Sequence, residues 1–319
     1  MSTALLRLST LISLLLCCHV LTAQVQYFDG NWKQIKSKKK AIYYRVGPTK
    51  NEAGNYDVRD YYMDSTLQMT GTFKDEACTK YEGHFVWYYH SKQIRKSVTY
   101  KNEEREGWCL EYYPGGKLFR KRFYKKGFYL TETLYYTNGQ IQSITHYTEA
   151  GKNDSIANYY TRDGKIYERA DCTDSSIHTF TWYYPSGTVI ATATYLKDSL
   201  IHSKAFNENG TVKTDSTVKC CSARFGTEIN SLANYVSRHM KYPEFAVKEK
   251  IESEVLVCFV VGPGGEITDV NTPFSNHFSI EEAAREAIQN LPEEVWEPAN
   301  VNGFPLPDYF EFTINFKLK

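Results

Sequence analysis

Cysteine and histidine are the side chains of this sequence that could support nucleophilic or metal chemistry, and their spacing favours neither. The adjacent Cys220 and Cys221 resemble half of a metal site, but no CxxC motif and no nearby histidine pair completes it. Asp171 and Cys172 with His178 would suit a thiol nucleophile, but Cys172 falls at a position that a repeated pattern reserves for packing. We predict no catalytic residue and no bound metal. Six cysteines follow the first 24 residues: Cys78, Cys109, Cys172, Cys220, Cys221 and Cys258.

Sequence motifs of the common enzyme classes are absent. The chain contains no GxSxG, HExxH or P-loop motif, and no GxGxxG motif that opens a helix. The glycines of VVGPGGEI join one strand pattern to the next, which indicates a hairpin turn and not a phosphate-binding loop. His84 and His90 flank a predicted strand without a clear carboxylate or cysteine companion. We predict that the protein is not an enzyme and binds no cofactor.

Charge and composition exclude one class of partner and favour one class of structure. The 319 residues carry 38 Lys and Arg against 37 Asp and Glu, so no global field points to nucleic acid or to membrane lipid. Aromatic residues make up 15% of the chain, and tyrosine, with 26 copies, accounts for most of them. Tyrosine suits the half-buried faces of pleated sheets, so the composition indicates β structure. The balanced charge indicates no nucleic-acid partner.

The N-terminus has the pattern of an export signal. One positive charge precedes an apolar core from Leu11 to Cys18, and Leu21-Thr22-Ala23 supplies a small-residue cleavage site before Gln24. We predict a signal peptide at residues 1–23 and hence an exported protein, in the periplasm or associated with the envelope. Export would permit disulfides among the six later cysteines, but their spacing selects none of the pairings.

An uncleaved membrane anchor is the alternative for the same segment. Ala4 to Ala23 spans 20 residues, but Arg7 and His19 shorten the truly apolar stretch below a comfortable membrane span. No later segment approaches a transmembrane length. We therefore expect no retained transmembrane anchor.

A repeat dominates the chain between residues 56 and 218. It can be aligned on a turn residue, here called the marker, that recurs every 23 to 27 residues. An aliphatic residue always follows the marker by two positions, and a closing residue, most often tyrosine, follows it by eight. A pair of tyrosines precedes each of the first six markers. The markers are Ser65, Lys92, Gly116, Gly139, Gly164, Gly187 and Gly210.

Each repeat unit predicts a β-hairpin. The markers lie in turn sequences such as PGG, NGQ and PSG, in which glycine or asparagine can take a positive φ. The second and eighth positions after the marker have the same parity, which places both on one face of an unbroken strand. A single hairpin cannot bury its aromatic face, but neighbouring hairpins can. We predict an elongated antiparallel sheet of seven hairpins at 56–218, with lead-in strands at 24–55.

The repeat resembles the MORN type, in the variant with a YYxxGxL core. The segment KNEEREGWCLEYYPGGKLFRKRFYKKG carries nearly every feature of that family, including Glu106-Gly107-Trp108 before the tyrosine pair. The resemblance covers about residues 56–218 and weakens at both ends. Proteins with such repeats are sometimes assigned to antitoxins, so the resemblance implies an antitoxin-like partner protein as one function. For the tyrosines themselves, packing between neighbouring hairpins is the alternative to a ligand-binding role.

The pattern changes after Val218, where a linker at 219–228 and a compact α+β domain at 229–319 are predicted. EINSLANYVSRHM has the apolar spacing of an amphipathic helix. Apolar residues alternate from 255 to 261, PGGE turns the chain back, and a partner strand follows. IEEAAREAIQNL predicts another helix and YFEFTINFKL a closing strand. The whole chain is therefore expected to be mainly β, with a small α+β domain at its end.

This domain resembles the C-terminal domain of TonB, the energy transducer for outer-membrane transporters. The resemblance rests on KYPEFAVKEKIESEVLVCFVVGPGGEITDV, on EEAAREAI, on Trp296-Glu297-Pro298-Ala299 and on TINFKL. The chain departs from the family at Ser253, where glycine is usual, and it lacks the Pro-rich segment that spans the periplasm in the full transducer. The resemblance thus implies partner binding without an obvious route for ion-gradient energy.

In that family, the last strand of the sheet pairs with a short extended segment of a transporter. The matching strand here is Tyr309 to Leu318, and the resemblance places Tyr242-Pro243 near it. Backbone pairing would supply affinity and outward side chains selectivity. The alternative is that a dimer partner or the repeat sheet blocks this edge. The partner-binding residues implied are Tyr242, Pro243, Tyr309, Glu311, Thr313, Asn315 and Lys317.

Together these features predict an exported, non-enzymatic binding or scaffold protein of the cell envelope. Its expected partner is a protein, either an outer-membrane transporter or another envelope protein that offers an extended segment. The antitoxin-like alternative would act through the repeats and predicts cytoplasmic retention, against which the export signal argues.

A further short pattern has two interpretations. Asp64-Ser65-Thr66 and Asp154-Ser155-Ile156 exemplify an Asp-Ser pair followed by an aliphatic residue or threonine. Such triplets resemble the O-glycan acceptor of exported Bacteroidetes proteins. They are also ordinary turn chemistry, because Asp and Ser both favour turns.

Overall fold

The computed structural model of the protein describes residues 25–148, 154–174, 176–215, 217–226, 231–292 and 296–318. The predicted signal peptide at 1–23 lies outside this part of the chain, as do the first two residues of the predicted C-terminal domain. No helix in the described ranges is both long and apolar enough to cross a membrane.

Sixteen strands form one antiparallel sheet, here called the array sheet. Its first eight strands are β1 (Val25–Phe28), β2 (Gln34–Ile35), β3 (Tyr43–Lys50), β4 (Tyr56–Tyr62), β5 (Leu67–Phe73), β6 (Tyr81–Tyr88), β7 (Ile94–Lys101) and β8 (Glu104–Tyr112). The other eight are β9 (Leu118–Lys125), β10 (Phe128–Tyr135), β11 (Ile141–Tyr147), β12 (Ser155–Tyr160), β13 (Ile166–Asp174), β14 (Ile177–Tyr183), β15 (Val189–Leu196) and β16 (Ser199–Ala205).

The strands follow one another in sequence order across the array sheet. From β16 back to β3 each strand pairs with its neighbours in sequence, and at the far end β1 lies between β3 and β2. This arrangement confirms the predicted sheet of repeated hairpins. Six hairpins are complete, whereas the seventh is reduced to a single bridge between Phe206 and Val212.

The marker residue sets the geometry of every hairpin turn. All seven markers have a positive φ, between 70° and 89°. In the third unit the Gly116 amide donates to the Tyr113 carbonyl at 2.8 Å, and the Tyr113 amide donates to the Lys117 carbonyl at 2.8 Å. The strand register shifts by one residue beside this turn. A tight turn followed by a left-handed residue is the hairpin closure with a glycine-type bulge, and it explains why glycine recurs there.

The second tyrosine of four of the six pairs connects one hairpin to the next. This position is buried, and its hydroxyl donates to a backbone carbonyl of the following unit. Because a buried hydroxyl needs a partner, the repeat conserves its own spacing through this bond. In the fifth unit the tyrosine pair lies one residue earlier, so Thr161 takes this position. The bonds are Tyr89 to Tyr112 (2.6 Å), Tyr113 to Tyr135 (2.8 Å), Tyr136 to Tyr160 (2.7 Å) and Tyr184 to Phe206 (3.2 Å).

The C-terminal domain is a three-stranded antiparallel sheet covered by helices on one face. Its strands are β19 (Ser253–Val261), β20 (Ile267–Phe274) and β24 (Asp308–Phe316), in the order β20-β19-β24. Its helices are Ser231–His239, Glu244–Lys248 and Phe278–Gln289. Val255, Phe259 and Ile280 are among the fully buried side chains of the core between sheet and helices. The order of elements confirms the predicted small α+β domain.

The segment predicted as a linker, 219–228, is not free where the structure describes it. Two short strands form within it: β17 (Cys220–Cys221) and β18 (Arg224–Phe225). They pair with β22 (Ala299–Val301) and β21 (Trp296–Glu297), respectively, and β22 also pairs with β23 (Phe304–Leu306). Backbone pairing therefore ties this segment to the C-terminal domain.

The C-terminal domain packs directly on the array sheet. The main core mixes array residues such as Tyr43 and Tyr62 with residues of both the domain's sheet and its helices. Polar contacts reinforce this interface: the Tyr43 hydroxyl donates to the Asn276 carbonyl at 2.5 Å, and the Thr137 amide donates to Asp269 Oδ1 at 2.7 Å. Shared burial of this kind makes the two regions one packed unit.

Candidate functional site

The candidate site is the edge of β24 that faces away from β19. β24 pairs with β19 along all nine of its residues, from Ser253 opposite Phe316 to Val261 opposite Asp308. Within the described part of the chain, no strand pairs with its other side. In an antiparallel ladder every second residue directs its amide and carbonyl away from the partner strand. The outer edge of β24 therefore offers backbone donors and acceptors to an extended segment.

One face of β24 holds the strand to its own domain. Phe310, Phe312, Ile314 and Phe316 all contact the main core. The Phe310 ring stacks on that of Phe259 with centroids 5.3 Å apart and planes inclined by 8°. This alternation is what the sequence predicts, and it fixes the position of the edge because the buried side chains cannot leave the core without exposing aromatic surface.

The opposite face of β24 begins against the array sheet. Arg120 of β9 donates from Nη2 to Glu311 Oε1 at 2.6 Å and to the Tyr309 hydroxyl at 2.9 Å. Burial alone would raise the pKa of Glu311, but the Arg120 guanidinium lowers it below its ordinary value. The side chains of Tyr309 and Glu311, which the resemblance assigned to partner binding, are thus already engaged by the array.

The remaining outward side chains of the strand are free of that contact. Thr313 and Asn315 of β24 and Lys317 beyond its end are all exposed. They follow Glu311 along the strand toward its C-terminal end. Glu311 is exposed as well, but among the outward side chains these three are the ones that Arg120 does not engage.

The Tyr-Pro motif lies against the end of β24. The Tyr242 ring packs edge-on against Phe316 with centroids 5.4 Å apart, and its hydroxyl donates to the Ile251 carbonyl at 2.7 Å. Pro243 immediately precedes the helix Glu244–Lys248, where its fixed φ suits a helix start. The motif therefore supports the last buried residue of the edge strand, and the structure does place it beside that strand.

Sequence reasoning missed Arg120, which holds β24 against the array. Arg120 is 5% exposed and also lies near two further carboxylates, Glu111 at 3.8 Å and Glu132 at 3.6 Å. It stands four positions after a marker, where other units place residues as different as Met69 and Ala191. The repeat pattern carries no signal for this residue, because its role depends on a contact between distant segments.

The cysteines have the character of buried or idle thiols. All six are free in the described chain. Burial raises the pKa of the Cys258 thiol to about 12, and burial also raises the pKa of Cys172. Thiols whose pKa is raised are poor nucleophiles because the thiolate is the reactive form. Among the described residues, no group of three or more potential ligands could hold a metal ion.

Comparison with known families identifies both parts of the chain. Residues 238–318 match the family described as the Gram-negative bacterial TonB protein C-terminal. Four segments, 81–102, 105–126, 130–149 and 179–197, match the MORN repeat variant. These segments contain four of the seven markers, and the units at Ser65, Gly164 and Gly210 lie outside them although they follow the same sequence pattern. A search of curated proteins found no match.

The protein therefore combines MORN-variant repeats with a TonB-like C-terminal domain. The TonB C-terminal family is associated with the cell envelope and interacts with proteins. Both families are generally non-enzymatic. These family properties indicate an envelope-associated, protein-binding function.

Proposed function

We propose that this is an exported, non-enzymatic scaffold protein of the cell envelope that binds an extended segment of another envelope protein along the edge of β24. An outer-membrane transporter is the foremost partner by likeness to TonB. The observation that carries the proposal is the backbone edge of β24, which is unpaired over the length of the strand within the described chain. Strand addition at such an edge is a recurrent mode of peptide recognition.

Main-chain hydrogen bonds supply the affinity in this proposal. The core side chains of β24 hold the strand in place, so little ordering of the protein accompanies binding. Selectivity then falls to the exposed outward side chains of Thr313, Asn315 and Lys317. Side chains alternate across a strand, so an added segment presents every second residue to the same side as these three.

The array sheet acts as a rigid support for the edge strand. Arg120 joins β24 to β9, and the turn before β11 bonds to β20 through Thr137 and Asp269. Contacts at both edge strands of the domain prevent it from rotating on the sheet. A partner that binds β24 is therefore held at a fixed orientation to the repeats, which is the property of a scaffold.

Site-specific photo-crosslinking in cells tests this proposal. A benzophenone amino acid placed at Asn315, which is exposed on β24, should capture an envelope protein through one extended segment. The same amino acid at Arg59, which is exposed on β4 of the array, is the matched control. The account predicts an adduct from position 315 whose mapped site lies in an extended segment of the partner, and no such adduct from position 59.

A proline variant separates edge pairing from side-chain contact. Proline at Thr313 removes one backbone donor from β24. If that amide faces the open edge, Thr313→Pro should abolish the adduct while thermal unfolding shows an intact fold. Identical adducts from positions 315 and 59, or none from either, would contradict edge recognition and point to the repeats instead.

A further inference from the structure

A cavity of about 720 Å³ lies between the array sheet and the C-terminal domain. Its floor comes from array strands β3 to β9, and its other wall includes Leu256 of β19 and the segment Pro273–Asn276 at the end of β20. The volume falls within the range of small-molecule sites in proteins. Both regions of the molecule are needed to form it.

Cationic side chains outnumber carboxylates in the lining of this cavity, and most of them are paired. Arg45 donates to both oxygens of Asp60 at 2.7 and 2.8 Å, and Lys96 lies 3.1 Å from Glu111. Other cations of the lining pair with carboxylates outside it. Arg95 Nη1, for example, lies 3.3 Å from Glu281 Oε2. The six cations of the lining are Arg45, Arg95, Lys96, Arg105, Arg120 and Arg122, against the two carboxylates Asp60 and Glu111.

Arg105 differs from the other arginines of the cavity. It makes no ion pair within the described ranges; instead Nη1 donates to the Tyr124 hydroxyl at 3.0 Å. Its guanidinium also lies over the Tyr124 ring, 5.3 Å from the centroid. An arginine held by aromatic groups keeps donors available for a planar anion, which guanidinium binds in a bidentate manner.

Two buried polar atoms in the same lining have no hydrogen-bond partner among the described residues. They are Arg120 Nε, which lies 3.6 Å from Glu132 Oε2, and Glu111 Oε2, which lies 3.8 Å from Arg120 Nη1. Both residues are at least nine-tenths buried, at 5% and 6% exposure. Each atom has a charged neighbour but no hydrogen bond, so this part of the wall is polar and leaves hydrogen bonds unmade within the protein.

Aromatic side chains form a further large part of the wall. Trp87, Tyr100 and Phe73 lie on the array side, and Trp32 reaches the cavity from the β1–β2 hairpin. On the domain side, Phe274 is 59% exposed although it is a large apolar residue. A ligand that covers Phe274 would remove this surface from water. The wall therefore suits a ligand with an apolar or aromatic body.

We infer that this cavity binds a small organic anion, in which a carboxylate or phosphate group meets Arg105 and an aromatic or aliphatic body lies against Trp87 and Phe274. The inference does not depend on the edge of β24. Arg105 is the positioning cation because its donors are not committed to a carboxylate of the protein. The apolar walls account for the size of the site, which exceeds that of an inorganic anion.

Fluorescence titration of the full-length chain with four probes tests the site. The probes are 2-naphthyl phosphate, 2-naphthoate, neutral 2-naphthol and inorganic phosphate. Trp32 and Trp87 lie in the wall, so a bound naphthyl group should quench tryptophan emission in a saturable way. At least one naphthyl anion should bind about tenfold or more tightly than 2-naphthol, as expected for a charged hydrogen bond. The tighter of the two identifies phosphate or carboxylate as the preferred group.

Variants locate the binding to this cavity. Arg105→Gln should weaken the binding of the naphthyl anion about tenfold or more and leave the affinity for 2-naphthol unchanged, because the substitution removes the cation alone. Phe274→Ser should weaken the binding of all three naphthyl probes, and the fold should persist because Phe274 is exposed. Arg59→Gln, exposed on the array and outside the lining, should have no effect. Three results would overturn the inference. The wild type could bind 2-naphthol as tightly as the anions, the Arg105 and Arg59 variants could bind the anion equally well, or no probe could quench emission in a saturable way.

Discussion

In the array sheet, each strand from β4 to β15 bonds to the strands that precede and follow it in sequence, whereas in the C-terminal domain β19 bonds to β24 at the far end of the domain. Four array hairpins each bury a tyrosine whose hydroxyl donates to a backbone carbonyl of the next unit. The C-terminal domain instead concentrates aliphatic and phenylalanine side chains in one core. Local, repeated contacts spread stability along a chain, whereas one shared core concentrates it.

The largest expected difference between the two regions is their response to loss of a large side chain. Phe259 of β19 is fully buried between Trp296 and Phe310. Phe259→Ala should lower the free energy of unfolding by about 3–5 kcal/mol, because it removes apolar contacts and leaves a cavity. Denaturant titration measures this loss. Phe128→Ala on the array, where the ring is 53% exposed, is the control and should change stability little.

A second prediction uses pH on the C-terminal side of the comparison. His277 is 3% exposed, and burial first, then the nearby His90, lowers its pKa to about 4. The folded state therefore favours the neutral ring. The stabilisation that the neutral ring gives the fold is present above the unfolded pKa of 6.5 and is lost as pH falls toward 4. Between pH 6.5 and pH 4 the unfolding free energy of the wild type should fall by about 3 kcal/mol relative to that of His277→Asn, a variant that keeps a helix-capping acceptor.

The array should respond to pH in the opposite direction. Burial raises the pKa of Glu168 on β13 to about 7, although Trp182 donates to its carboxylate at 3.1 Å. A raised pKa means that the folded state favours the protonated carboxyl. The stabilisation from the protonated Glu168 is present below the unfolded pKa of 4.5 and is lost as pH rises through 7. The unfolding free energy of Glu168→Gln should therefore rise by about 3 kcal/mol relative to that of the wild type between pH 4.5 and pH 8. Parallel pH profiles for the His277 and Glu168 variants would contradict this contrast.

The tyrosine hydroxyls should contribute a smaller effect within the array. The Tyr136 hydroxyl donates to the Tyr160 carbonyl at 2.7 Å from a ring that is 1% exposed. Tyr136→Phe keeps the ring and leaves that carbonyl without its partner, which should cost about 1 kcal/mol of unfolding free energy. Tyr61, the first tyrosine of its pair, stacks on Tyr44 with centroids 5.0 Å apart. Tyr61→Phe keeps that stack and should be close to neutral.

The smallest predicted effect concerns the marker position. Lys92 has a φ of 70°, a conformation that costs a residue with a side chain about 1–2 kcal/mol and costs glycine far less. Lys92→Gly should therefore raise the unfolding free energy by about 0.5 kcal/mol after the entropy cost of glycine. Gly139→Ala makes the reverse change, at a marker with a φ of 89° and open space around it, and should lower stability. A destabilised Lys92→Gly variant would show that the side chain, not the turn, decides this position.

The sequence predicts the array well because its rules are local. Glycine at the marker and the preceding tyrosine pair both act within one hairpin or between adjacent ones, so their spacing alone indicates the sheet. The prediction that the second and eighth positions after the marker share one face was less successful: Ile94 and Val212 at the second position are 42% and 51% exposed, whereas Phe73 and Tyr124 at the eighth are buried. The bulge at the turn interrupts strict alternation, and parity counted through a bulge loses its meaning.

The contact between the two regions could not be read from the sequence. Arg120 pairs with Glu311, and Arg95 donates to the Thr272 carbonyl at 3.0 Å, across separations that no periodicity marks. These residues look like ordinary charged positions on strands. The same reason hid the cavity, because its lining comes from strands that are adjacent only after the domain has packed on the array.

Hydrogen exchange of the β24 backbone tests the central claim most directly. Residue-resolved exchange on the full chain should show alternating protection over Asp308–Phe316, slow where amides bond to β19 and fast where they face the open edge. On addition of the crosslinked partner's extended segment, the fast amides should become slow, while amides on the array strand β5 keep their rates. Uniform slow exchange along β24 in the chain alone, or fast amides that stay fast with the partner segment bound, would contradict recognition by strand addition.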